Sequence, residues 1–158
     1  MGKKILITLL FALLSTSANL EKVYIVKNVA EEENVNWDKL IYSIIQVESS
    51  GNEKAISKDG TCVGAMQIKK IVVDDCNEYL EMKGIGKRYE YDDRYNIKKS
   101  IEMFNLIQER YNKELDLLEA IRIWNGGCNW RNGKHDTRPY VAKVLKLYNK
   151  TDKKMGTL

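Results

Sequence analysis

Residues 37–52 read WDKLIYSIIQVESSGN. The apolar positions Trp37, Leu40, Ile41, Ile44 and Ile45 recur three and four apart, the spacing of one face of an α-helix. Asn36 has a side chain suited to capping the start, and Gly51 or Asn52 can end the helix with a left-handed residue. The next position on this stripe is Glu48, four residues after Ile44 and three after Ile45. A carboxylate there sits on the last turn of a helix whose apolar face is buried. Two effects raise its pKa: desolvation disfavours the anion, and the negative end of the helix dipole lies close by. A glutamate with the ordinary pKa of about 4.3 carries a proton in well under ~1% of molecules at pH 7. At a pKa of about 6, roughly a tenth of molecules carry one, enough for general-acid work. Such a residue can equally be a solvated glutamate at a frayed helix end. The blocks of sequence C-terminal to it give it a role.

The chain has 158 residues, of which 44% are hydrophobic, a length and composition that suit one domain able to bury its own core. The first residues read differently from the rest. Lys3 and Lys4 precede the uncharged run ILITLLFALL at 5–14, and then come Ser15, Thr16, Ser17 and Ala18. This is the layout of a secretory signal cut after Ala18, and the run is short for a bilayer span. No Cys comes after the small residues, which argues against a lipoprotein. The sequence thus predicts an exported protein, periplasmic or extracellular. With 26 basic and 22 acidic residues the net charge is +4; without Lys3 and Lys4 the balance is 24 to 22, or +2. Near-neutral charge with interspersed signs does not argue for nucleic acid. Cys62, Cys76 and Cys128 allow one disulfide and one free thiol in an exported protein, and spacing does not choose the pair. There is no CxxC and one histidine, His135, in a polar run that reads as solvated loop, so neither a metal site nor a cofactor is predicted.

The chain divides into a signal at 1–18, a polar surface leader at 19–35, a domain at 36–150 and a charged, frayed tail at 151–158. Within the domain, 53–63 is turn-prone and reads as a loop or small hairpin. A helix is predicted over 71–82, with Val72, Cys76, Tyr79 and Leu80 on one face, broken by Gly84 and Gly86. Residues 87–95 read as irregular. Asn96 caps a helix over 97–111 with the stripe Ile97, Ile101, Phe104, Ile107 and Tyr111. Asp116 and Glu119 suggest a capping box opening a helix over 117–124, stopped by Gly126 and Gly127. Residues 129–136 form a polar loop. Thr137 and Pro139 start a last helix over 140–148, with Val141, Val144, Leu145 and Tyr148 facing inward. The fold class is mostly α, a single helical domain with a small hairpin or loop after the first helix.

One candidate acid, amides and many aromatics suit a carbohydrate cleft. Aromatic faces stack on sugar rings, and amides pair with hydroxyls in both directions. Gln67, Trp124, Asn125 and Tyr140 are suitable parts, although Trp124 and Met66 also fit a core. The order of the blocks is more specific. Glu48-Ser49-Ser50-Gly51-Asn52, then Gly64-Ala65-Met66-Gln67-Ile68, then Ala120-Ile121-Arg122-Ile123-Trp124-Asn125-Gly126-Gly127, then Tyr140 resembles the soluble lytic transglycosylase family. These are lysozyme-like relatives of goose-type lysozyme that cut peptidoglycan. The resemblance spans roughly 37–148. Ala65 replaces the usual Leu, Trp124 the usual Tyr, and Lys69 and Lys70 stand in the place usual for Pro-Ser/Thr.

The resemblance implies an α+β lysozyme-like fold, with Glu48 the catalytic acid and base and Ser49 a substrate-binding residue hydrogen-bonded near it. It implies that Gly64, Met66, Gln67, Trp124 and Asn125 line the glycan site and that Tyr140 orients Glu48 or the sugar. Its implied reaction is cleavage of the MurNAc-β-1,4-GlcNAc bond with a 1,6-anhydro-MurNAc end, without cofactor or metal. Two alternatives stay open. A goose-type muramidase would use Asp59, Asp74, Asp75, Asp92 or Asp93 to activate water. A non-catalytic domain would bind glycan within a cell-wall-crossing apparatus. The implied partners are peptidoglycan strands and, by likeness of layout to other small exported transglycosylases, a secretion, conjugation or phage apparatus.

Overall fold

The structure is a computed structural model that describes residues 35–155, with side chains to residue 150. The expected signal at 1–18, the leader up to residue 34 and the last three residues of the tail lie outside the described residues. Val35, which the sequence assigns to the leader, packs against the core.

The domain is mostly α. Helix α1 is Trp37–Ser49, α2 Lys70–Met82, α3 Ile97–Tyr111, α4 Leu117–Gly126 and α5 Arg138–Met155. Strands β1 (Cys62–Val63) and β2 (Ile68–Lys69) pair antiparallel, Val63 opposite Ile68, and a single bridge joins Ile56 to Val63. The expected hairpin is thus a small ribbon folded around 64–67. Short 3-10 turns occupy Tyr91–Tyr95, in the segment read as irregular, and Trp130–Asn132.

Capping chemistry explains where the helices begin. Asn36 Oδ1 accepts the Lys39 N–H at 3.0 Å, Asn96 Oδ1 that of Lys99 at 3.1 Å, and Asp116 Oδ1 that of Glu119 at 2.6 Å. The capping box at 116–119 is only half made. The Asp116 N–H goes to Asn112 Oδ1, and the Glu119 carboxylate turns to Trp130 and Arg131. At the end of α1 it is Ser50 that takes the left-handed conformation, with Gly51 also at positive φ, one residue earlier than expected. Helix α5 runs on to Met155, so the backbone at 151–155 is helical.

The core gathers parts of the faces the stripes predict, with Met103 of α3 added from outside its stripe. Leu40 and Ile44 of α1, Met103 and Phe104 of α3, Ile121 of α4 and Val144 of α5 are fully buried. Each such side chain contributes roughly 1.5–3 kcal/mol of transfer free energy. On α2 Cys76 and Leu80 are buried as expected, while Val72 and Tyr79 are half-buried and Val73 and Asn77 join the buried set. Asn77 is buried because its amide closes two hydrogen bonds with the Tyr89 backbone, at 2.9 and 2.8 Å, and ties 83–89 to α2. Arg94, 6% exposed, is satisfied in the same way by the carbonyls of Tyr91 and Ile68. Trp37, Phe104 and Trp124 form a ladder of tilted aromatic contacts from α1 through α3 to α4, with centroids 6.2 and 5.1 Å apart. Among the described residues no helix is long and apolar enough to cross a membrane, and the three cysteines carry free thiols.

Candidate active site

Glu48 sits on the last turn of α1, at the edge of the buried stripe. Burial raises its pKa above the ordinary value, and a hydrogen bond from Tyr140 partly opposes the shift. That bond is short: the Tyr140 hydroxyl donates to Glu48 Oε1 at 2.6 Å. Tyr140 comes from the first turn of α5, which packs along α1, so two residues 92 apart in the chain meet where these helices touch. Burial and the Glu48 charge together push the Tyr140 pKa far up, so the phenol keeps its proton and remains a donor.

Glu48 opens onto a cavity of about 640 Å³. One wall is the ribbon. Ser49 Oγ donates to the Ala65 carbonyl at 2.7 Å and fixes the ribbon to the end of α1. Gly64 is at φ +78°, and a Cβ there would stand 1.9 Å from the Arg94 carbonyl oxygen, so neither the conformation nor the space admits another residue. Gln67, also at positive φ, donates from Nε2 to the carbonyls of Gly64 (3.0 Å) and Ala55 (3.4 Å). A non-glycine residue in this conformation is held there by its surroundings.

The facing wall is the C-terminal end of α4 with the loop beyond it. Trp124 and Asn125 line the cavity from α4, and His135 from the loop. Trp124 has both roles the sequence allows, packing edge-on against Phe104 while bounding the cavity. His135 Nε2 lies 2.9 Å from Asn125 Oδ1, so the histidine read as a solvated loop residue is bonded to a candidate site residue.

Of the residues the sequence singles out, the cavity brings together Glu48, Gln67, Trp124 and Asn125, and Tyr140 reaches it through Glu48. Three of the singled-out residues do not border the cavity. Met66 is 0% exposed and belongs to the core. Gly64 is buried beneath the ribbon against Arg94, and Ser49 braces Ala65; neither lines the cavity.

The sequence of this chain matches the model of the transglycosylase SLT domain over residues 25–143. The chain belongs to this family. It is also similar to a protein of Enterobacteria phage PRD1 named "Transglycosylase", 29% identical over 111 residues. That match takes in 70% of this chain and 37% of the relative, so the chain spans little more than a third of the relative's length.

Several side chains of this SLT domain's cavity are not assigned to a site by the sequence. Ile71, Val72, Ile107 and Ile123 give it an apolar side, and Cys62 and Cys128 also border it. Asp75 and Tyr111 lie at the same end. Asp75 Oδ1 accepts from Arg110 at 2.6 Å and from the Tyr111 hydroxyl at 2.9 Å, while burial and Asp75 push the Tyr111 pKa up to about 12. Asp75 is the carboxylate besides Glu48 that borders the cavity. Asp59, in contrast, is turned onto its own loop by Ser57 and Thr61, which hold its pKa down at about 2. Asp74 accepts from Tyr91, and Asp93 pairs with Lys99. No periodic pattern signals the group of Asp75, Arg110 and Tyr111; the packing of α2 on α3 creates it.

Proposed function

We propose that this chain is a peptidoglycan lytic transglycosylase that cuts the MurNAc-β-1,4-GlcNAc bond and leaves a 1,6-anhydro-MurNAc end. The observation that carries the reading is Glu48: a carboxyl bordering a cavity, its pKa raised by burial, with one oxygen held by Tyr140. Among the described residues Oε2 accepts no hydrogen bond, which leaves it for proton transfer. In the protonated state Glu48 gives its proton to the glycosidic oxygen as the C1–O bond breaks. The leaving GlcNAc departs as an alcohol, and C1 of MurNAc develops oxocarbenium character, which the N-acetyl group can stabilise. Glu48, now a carboxylate, takes the proton of the C6 hydroxyl as O6 bonds to C1. The acid is regenerated and no water is consumed, because each half of the reaction leaves Glu48 in the state the other half requires. Gln67 and Asn125 offer amides and Trp124 an aromatic face to the sugars. Tyr140 holds the carboxyl in place and favours its anion when the base is needed.

A second reading rests on Asp75. Hydrolysis requires another carboxylate to activate water, and Asp75 borders the same cavity. Its Oδ1 already carries Arg110 and Tyr111, however, and that engagement suits a structural role. The two readings differ in the product end, anhydro or reducing.

We further take the chain to act outside the cytoplasm, where peptidoglycan lies, as its basic-then-apolar first residues suggest. The phage origin of one relative supports a role in opening the wall locally for a larger apparatus.

The test is Glu48→Gln, assayed on purified peptidoglycan. The amide keeps size and can accept from Tyr140 but has no acidic proton. Turnover falls to background while the variant still sediments with peptidoglycan. Cleavage within tenfold of the parent would remove Glu48 from the chemistry.

A further inference from the structure

His135 is the chain's one histidine, and its partner is specific. Asn125 Oδ1 can only accept, so at 2.9 Å the His135 Nε2 carries the hydrogen. The amide of Asn125 is thereby oriented. One of the two lone pairs of its oxygen is taken, and the N–H groups of Nδ2 are left to donate to a ligand in the cavity. We propose that His135 is a positioning residue that sets Asn125 as a hydrogen-bond donor, so that this wall of the cavity selects an acceptor on the glycan, a carbonyl or hydroxyl oxygen. The inference rests on the glycan-cleaving reading above and deepens it at one position.

The loop that carries His135 is anchored on both sides. Before it, Trp130 Nε1 donates to Glu119 Oε1 at 3.0 Å and Arg131 pairs with Glu119 Oε2 at 2.8 Å. The guanidinium groups of Arg122 and Arg131 each lie over the Trp130 ring, 4.9 Å from its centroid. After it, Thr137 is buried. Gly126 permits the close seat: a Cβ there would meet Trp130 Cβ at 2.8 Å, Thr137 Cγ2 at 2.9 Å and His135 Cδ2 at 3.7 Å. A polar loop of this composition does not hold one conformation unaided. These contacts hold it against the end of α4, where His135 meets the residue before Gly126.

The experiment compares His135→Ala, His135→Gln and His135→Glu in the full chain, with Asn125→Ala and the double variant His135→Ala/Asn125→Ala. Turnover on peptidoglycan, its kcat and KM, sedimentation with peptidoglycan and Tm are measured for each. Gln can donate to Asn125 Oδ1; Glu presents only acceptors and turns the amide over. His135→Ala and His135→Glu should lower kcat/KM about tenfold and weaken sedimentation in step, the loss expected for one misdirected hydrogen bond. His135→Gln should recover most of it, and the double variant should be no worse than Asn125→Ala, since His135 acts only through Asn125. Equal behaviour of the Gln and Glu variants, or losses that add in the double variant, would overturn the assignment. Absence of turnover in the parent chain would instead refute the catalytic reading, and the sedimentation series would still decide the role of His135.

Discussion

The ribbon wall at 62–69 and the loop wall at 124–137 face one cavity but are held by different means. On the ribbon side, Ala65, Met66 and Ile68 are core residues, Gly64 touches the Arg94 backbone, and Gln67 sits at positive φ. Nothing there can shift without disturbing the core. On the loop side the contacts are side chain to side chain and near solvent: Glu119 with Trp130 and Arg131, His135 with Asn125. Exposed polar contacts of this kind contribute about 1 kcal/mol or less apiece. The fixed wall positions Glu48 through Ser49 and the end of α1. The adjustable wall carries Trp124 and Asn125, proposed with Gln67 of the ribbon to grip the sugar, which suits a substrate that must enter and leave.

The largest effect that would test this contrast comes from adding one methyl group to each wall. Gly64→Ala forces a Cβ into a backbone carbonyl at positive φ and should destabilise by about 4 kcal/mol, strain and overpacking together. Gly126→Ala meets Trp130 Cβ and Thr137 Cγ2 without backbone strain and gains helix propensity, so it should cost about 2 kcal/mol, less than Gly64→Ala. Denaturant unfolding of both variants measures the difference. Equal losses would mean the two walls are equally rigid.

A smaller effect is expected where the walls share Glu48. Tyr140→Phe removes the hydrogen bond that lowers the Glu48 pKa and leaves the burial that raises it. The pKa therefore rises further, and the alkaline limb of the kcat profile moves to higher pH. Turnover at its optimum should fall about tenfold, for one charge-assisted bond lost. A limb that moved to lower pH would show that Tyr140 does not stabilise the carboxylate.

The smallest effect is on stability. The folded pKa of Glu48 is raised above 4.5, so its contribution is fully present below that pH and is lost as pH rises through the folded value. Glu48→Gln, which never ionises, should melt a few degrees above the parent at pH 7–8, about 1 kcal/mol, with the gain closing as pH falls toward 4.5. A constant difference across pH would show that Glu48 carries no penalty for burial.

Much of the fold is legible in the chain because it is local. Asn36, Asn96 and Asp116 each cap a helix with a residue three positions on, and the stripes of α1 and α3 repeat within a few turns. The position of Glu48 is set by Ile44 and Ile45 on its own helix. Ser50 hides the true end of α1, because a serine at positive φ is not signalled by its type. The stripe on α2 is right at Cys76 and Leu80 but takes Val72 for Val73, because both are apolar, and only the partners of Asn77 decide between them. The family resemblance assigns Met66 to the glycan site, yet packing puts it in the core. Arg94, Asp75 with Arg110, and His135 with Asn125 are contacts between elements or across a loop, where no periodicity exists to read.

The central claim is that one carboxyl acts twice and water is not consumed. Mass spectrometry of soluble fragments released from peptidoglycan by residues 19–158 tests it most directly. Fragments ending in 1,6-anhydro-N-acetylmuramic acid are expected, about 18 Da (one water) lighter than hydrolytic products, a mass set by the bond chemistry alone. Fragments with water added at that end would contradict it and make Asp75 the residue to substitute next.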